Sequence, residues 1–111
     1  MRGIGQGIKL ECITPAEIDP SFEVAGCYCG DLLSYVMAHA KEGDVWLTSQ
    51  THQNIVAVAV LLNLPCIILV ENKLPNEDTL SKAQREGIVL LGSSDNAFQL
   101  SGRLYALGLG R

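Results

Sequence analysis

Residues 43–75 read GDVWLTSQTHQNIVAVAVLLNLPCIILVENKLP, two short apolar runs with a longer one between them. Residues 45–48 (Val-Trp-Leu-Thr) and 66–70 (Cys-Ile-Ile-Leu-Val) have strand length, and each runs into a polar loop. Residues 54–64 hold seven aliphatic side chains and two alanines in eleven positions. That is too long for a buried strand and too continuously apolar for a surface helix, so it reads as a helix buried on most sides. Strand, crossover helix and strand make a βαβ unit, which is right-handed in nearly all folds and sets both strand-end loops on one edge of a parallel sheet. In open α/β sheets ligands gather at that edge.

Outward from this unit the pattern continues in both directions. Residues 8–13 alternate Ile8, Leu10 and Cys12 against Lys9 and Glu11, the signature of a half-buried strand near an edge. Pro15 and Pro20 mark a connection, and residues 22–28 read as a second strand leading to Gly30 and Asp31. Asp31 has the chemistry of an N-cap for a helix over 32–41, with Leu32, Leu33, Val36, Met37 and Ala40 on its apolar face and Gly43 as its stop. After Pro75, Asn76 caps a helix with Glu77 and Asp78 at its positive end, Lys82 and Arg85 at its negative end, and Leu80 and Ala83 inward. Residues 88–91 form another apolar strand. Ser93, Ser94 and Asp95 then cap a last helix with Phe98, Ser101, Leu104, Tyr105 and Gly108 on one side. The expectation is one α/β domain over residues 1–111, a mostly parallel sheet with βαβ crossovers and helices packed on it, with residues 1–7 frayed.

Composition narrows the partners. The 111 residues are 48% hydrophobic but only 5% aromatic, so Leu, Ile, Val and Ala must fill the core. A net charge of −4 gives no field to collect phosphate backbones, and nucleic acid is not expected as a partner. No apolar run reaches membrane-spanning length, so no membrane association is expected. The opening MRGIGQGIKL lacks a secretory apolar segment, which points to a cytoplasmic location with the four cysteines reduced. Cys27 and Cys29 are one residue apart with no second pair to complete a metal site, so no metal is expected, and they read as small side chains at a strand end. Cys12 and Cys66 read as core.

No phosphate-cradling P-loop is present, and Gly3, Gly5 and Gly7 precede the first strand instead of following one. No cofactor and no catalytic residue is assigned. His52 sits at the strand edge with no cysteine or carboxylate beside it in sequence. Capping of the following helix comes first among its readings, ligand contact second and catalysis last. His39 and Trp46 carry no site role: the first reads as surface, while Trp46, with Tyr105, reads as a core or interface aromatic. The candidate ligand-binding rim is Ser49, Gln50, Thr51, His52 and Asn54 after the first strand of the central unit, Glu71 and Asn72 after the second, and Ser93 and Asp95 after the last.

Gly30-Asp31-Leu32-Leu33, the stretch 44–58, the strand 67–70 with Leu74-Pro75 after it, and Ser94-Asp95 together resemble the DRTGG domain, over residues 27–107. The resemblance implies an α/β domain similar to the N-terminal domain of HPr kinase/phosphorylase, with related copies in phosphotransacetylases and CBS-containing pyrophosphatases. There the domain is a regulatory or oligomerising accessory and other domains do the chemistry. The family's Asp-Arg pair falls on Thr51-His52 and its Thr-Gly-Gly on Val70-Glu71-Asn72, where neither glycine stands. The expectation is therefore a non-enzymatic regulatory or interaction module that homodimerises and contacts a partner protein or small effector. An adenine-nucleotide sensor is the alternative, and HPr-type serine kinase activity a distant third.

Overall fold

The structure, a computed structural model, describes residues 10–15 and 24–109; the expectations for residues 1–9, for the connection through Pro20 and for Phe22 lie outside them. Five strands, β1 (Glu11–Cys12), β2 (Gly26–Cys29), β3 (Asp44–Thr48), β4 (Cys66–Leu69) and β5 (Val89–Gly92), form one sheet in the order β1-β5-β4-β3-β2. The pairings β2–β3, β3–β4 and β4–β5 are parallel, and β1 joins β5 antiparallel. The helices are α1 (Leu33–His39), α2 (Asn54–Leu62), α3 (Glu77–Glu86) and α4 (Ala97–Leu104), the last running on into a wider turn, Tyr105–Leu109, that is kinked at Gly108, where φ is +92°. The mostly parallel α/β sheet with βαβ crossovers is as expected.

Strand alternation divides the core in two. The register aligns Tyr28, Trp46, Ile67 and Leu90 in one row across the sheet, and Val36, Ile55, Val56, Ala59 and Ala83 cover that face from α1, α2 and α3. The next row, Cys27, Val45, Cys66 and Val89, points to the opposite face, where Leu100 and Leu104 of α4 pack. Each Leu, Ile or Val removed from water in this way contributes roughly 1.5–3 kcal/mol. Because β3 and β4 are covered on both sides, their residues are buried at every position from Asp44 to Thr48 and from Cys66 to Leu69.

Several local expectations give way. Asp31 does not cap α1: Leu32 holds the N-cap position without a side-chain bond, and the Asp31 carboxylate is engaged elsewhere. On α1 only Val36 is buried, with Leu33 and Ala40 half-buried; Leu32 precedes the helix and Met37 lies off the inward stripe, so both are exposed. The helix stops at His39. Gly43 serves the turn into β3 instead, with φ of +85° and the Ala25 Cβ 3.0 Å from where its own Cβ would stand.

The helix expected over 54–64 ends at Leu62, with Asn63 left-handed at its C-cap, and Leu64 is buried beyond it. Asn96, not residues 93–95, caps α4, because Gln99 three positions on completes a reciprocal capping box. The inward residues of α4 are then Leu100 and Leu104, while Phe98 and Tyr105 point to solvent, 87% and 70% exposed. Cys12 is exposed, not core: α4 lies over β2 and β3, which leaves the β1 edge of that face open. Cys66 is fully buried, and burial, reinforced by the neighbouring Cys12 and Cys27 thiols, pushes its pKa well above the ordinary thiol range.

Candidate functional site

Parallel alignment carries the loops after β2, β3, β4 and β5 to one rim, where the backbone ties them together. Val70 N–H donates to the Thr48 carbonyl at 3.1 Å and Ser93 N–H to that of Leu69 at 3.0 Å. Glu71 N–H donates to the Asp95 carbonyl at 2.8 Å and Asn72 N–H to that of Ser93 at 2.9 Å. Glu71 and Asn72, the positions that the resemblance gives to glycines, both have left-handed backbones, φ 59° and 57°. Asparagine tolerates that region and glutamate does so only at a cost.

On the β2–β3 side the organising group is Asp31. One carboxylate oxygen accepts the Thr48 hydroxyl at 2.7 Å and the Ser49 N–H at 2.8 Å; the other accepts the Ser49 hydroxyl at 2.8 Å. Gln50 donates through Nε2 to the Asp31 carbonyl at 3.1 Å. Burial alone would raise the Asp31 pKa, but the bonds from Thr48 and Ser49 favour the carboxylate and together hold it below the ordinary value. Trp46 adds a bond from its indole N–H to the Gly30 carbonyl at 2.8 Å. The N-cap role expected of Asp31 gives way to this clamp on the end of β3, which the sequence does not reveal because the partners lie 17 and 18 positions away.

The remaining predicted residues serve the helix starts. His52 Nδ1 accepts the Asn54 N–H at 3.1 Å, so capping, the first of its readings, is what the geometry displays. The Thr51 carbonyl accepts the Thr79 hydroxyl at 2.6 Å and the Asn76 N–H at 3.2 Å, docking α3 on the rim. At the far side Asp95 pairs with Arg103 at 2.9 Å.

The rim is thus two patches, not one. Asn72 and Ser93 line a groove of about 200 Å³ together with Glu11, Ile13, Lys73 and Leu74, whereas Ser49, Gln50, Thr51, His52 and Asn54 lie outside it. Glu11 and Ile13 reach the groove through the antiparallel register Glu11↔Gly92, a contact with no local signal in sequence. Among the described residues no cluster of three metal-ligating side chains occurs, and no helix is long and apolar enough to cross a membrane.

These features define the class: a three-layer α/β module with a DRTGG-like fold, one mostly parallel sheet between three helices and one. Neither a family model nor a curated protein matches the sequence. Among solved structures, the chain is similar to the CBS and DRTGG domains of the regulatory region of Clostridium perfringens pyrophosphatase, solved with its activator diadenosine tetraphosphate. The TM-score is 0.67 at 16% sequence identity, over 91% of this chain and 43% of that one, so this chain spans less than half of that region. At this identity the likeness shows a shared fold.

Proposed function

We propose that this chain is a non-catalytic regulatory module that self-associates and passes a signal to a partner protein. The carrying observation is where its chemistry is spent. The polar side chains at the rim, Asp31, Thr48, Ser49, Gln50, His52 and Asp95, bond to neighbouring loops, to the start of α2 or to α4, while large apolar side chains lie open on the helices. Exposed apolar surface of this kind favours association over catalysis. The fold shared with a regulatory region supports the same reading. Sedimentation velocity across the micromolar range tests it, with a concentration-dependent dimer expected and a monomer throughout overturning self-association. Incubation with labelled ATP and a serine-bearing acceptor protein should transfer no phosphate; transfer would overturn the non-catalytic reading.

One observation favours a second reading, an adenine-nucleotide sensor. The solved structure of similar fold was obtained with a dinucleotide activator, and the groove beside Asn72, Lys73 and Ser93 offers an ammonium, an amide and a hydroxyl. A nucleotide at about 100 times its Kd would add about 2.7 kcal/mol of stability. A thermal-shift series with adenine mono- and dinucleotides reads this out, and unchanged melting with all of them removes the sensor.

A further inference from the structure

Within α2, the nine residues Asn54–Leu62, the only polar side chain is Asn54, at the first position. Ile55, Val56, Val58 and Ala59 turn inward; Ala57, Val60 and Leu61 turn outward, with Val60 40% and Leu61 66% exposed. A helix apolar on all sides belongs inside a protein, since a surface helix carries charge on its outer stripe. The adjacent α3 follows that rule, with Ser81, Gln84 and Arg85 in solvent. Between the two helices runs a groove of about 290 Å³ with Ala57, Val60 and Leu61 on one side and Lys82 and Glu86 on the other. Lys82 and Glu86 stand one turn apart with opposite charge, and among the described residues the ion pair formed is Asp95–Arg103, far from either.

We infer that a second copy of this chain docks on the α2–α3 groove, related by a two-fold axis lying in the interface and perpendicular to the helices. This names the surface for the self-association put forward above and rests on that reading. The charge pattern selects both partner and axis. With α3 antiparallel to its counterpart, Lys82 of each copy stands opposite Glu86 of the other, and the two-fold makes that pair twice. An axis along the helices would lay α3 over α2 and set both charges against Ala57, Val60 and Leu61, without counterparts. Ala57, Val60 and Leu61 then meet their own equivalents and leave water. A few apolar side chains ringed by exposed ion pairs form a small interface, suited to a weak and reversible dimer.

Sedimentation velocity of the full chain across the micromolar range tests the surface, using Leu61→Asp, Lys82→Glu and the double exchange Lys82→Glu with Glu86→Lys. Leu61→Asp should weaken the dimer at least about tenfold, because it puts a charge into an apolar contact. Lys82→Glu should weaken it too, and the double exchange should restore it, since the pairs re-form with signs reversed. Leu61 is exposed, so its melting temperature should stay at the wild-type value; if it falls, the charge-exchange series reads the surface alone. A Leu61→Asp dimer as tight as wild type, or a double exchange no better than the single, places the contact on another face and overturns this inference while self-association stands. A wild-type monomer throughout takes both away and leaves the face to a different protein.

Discussion

Asp31 accepts the Thr48 hydroxyl at 2.7 Å, a bond that clamps the loop leaving β2 to the end of β3. Three donors from Thr48 and Ser49 share that carboxylate. Asp31→Ala should therefore cost about 1–2 kcal/mol, the value of charged hydrogen bonds discounted for solvent exposure. The sign of the pH dependence follows from the depressed pKa. The folded form holds the proton more weakly than the unfolded form, whose value is near 3.8. The stabilisation is complete above that value and fades as pH falls through the lower folded one. Urea titrations of wild type and Asp31→Ala should differ at neutral pH and converge under strong acid; a gap independent of pH contradicts the carboxylate's role.

Glu71 holds a left-handed backbone between two hydrogen-bonded loops. Replacing it by glycine relieves about 1–2 kcal/mol of local strain, part of which is returned as unfolded-state entropy. Glu71→Gly should raise stability by about 0.5–1 kcal/mol. Thermal melting decides it, and a lower melting temperature would mean that the Glu71 side chain stabilises the fold.

Trp46 is the chain's single tryptophan, fully buried, with its indole N–H on the Gly30 carbonyl. Its emission should be that of an apolar environment and shift to the red in a single step with unfolding. Trp46→Phe removes the donor and leaves a gap, at a cost of roughly 2–4 kcal/mol from the unpaired carbonyl and the cavity. A loss under about 1 kcal/mol would show that water replaces the indole.

Cys66 is enclosed and its thiol held protonated, whereas Cys12 and Cys29 are exposed. Since the thiolate is the reactive form, a thiol reagent should label Cys12 and Cys29 in the folded protein and Cys66 only after unfolding. Mass mapping of the labelled peptides checks this. Labelling of Cys66 as fast as Cys12 would place it at an opening in the core.

The runs at residues 45–48, 66–70 and 88–91 placed three strands and the edge where their loops leave, because a strand covered on both faces is apolar at nearly every position, a local pattern that a two-sided core imposes directly. His52 was legible as a cap for the same reason: its bond reaches only Asn54. The groove was not. Its walls come from the turn at Asn72 and Lys73 and from β1, which meet only when β1 pairs with β5. The inward stripe of α4 was legible only in part: Leu104 is buried as expected, but Phe98 and Tyr105 face solvent and Leu100 takes the inward place, since large apolar side chains by themselves do not say which stripe faces the sheet.

The sequence by itself determined a mostly parallel α/β sheet, the edge at which its loops collect, and a central helix with almost no polar side chain. Tertiary structure alone decided that Asp31 binds Thr48 and Ser49, that Glu71 and Asn72 sit left-handed, and that Leu61 faces outward. The physical reason is range. Periodicity and capping act between residues a few positions apart, whereas the hydrogen bond that the Thr48 hydroxyl donates to Asp31 exists only after two strands have aligned.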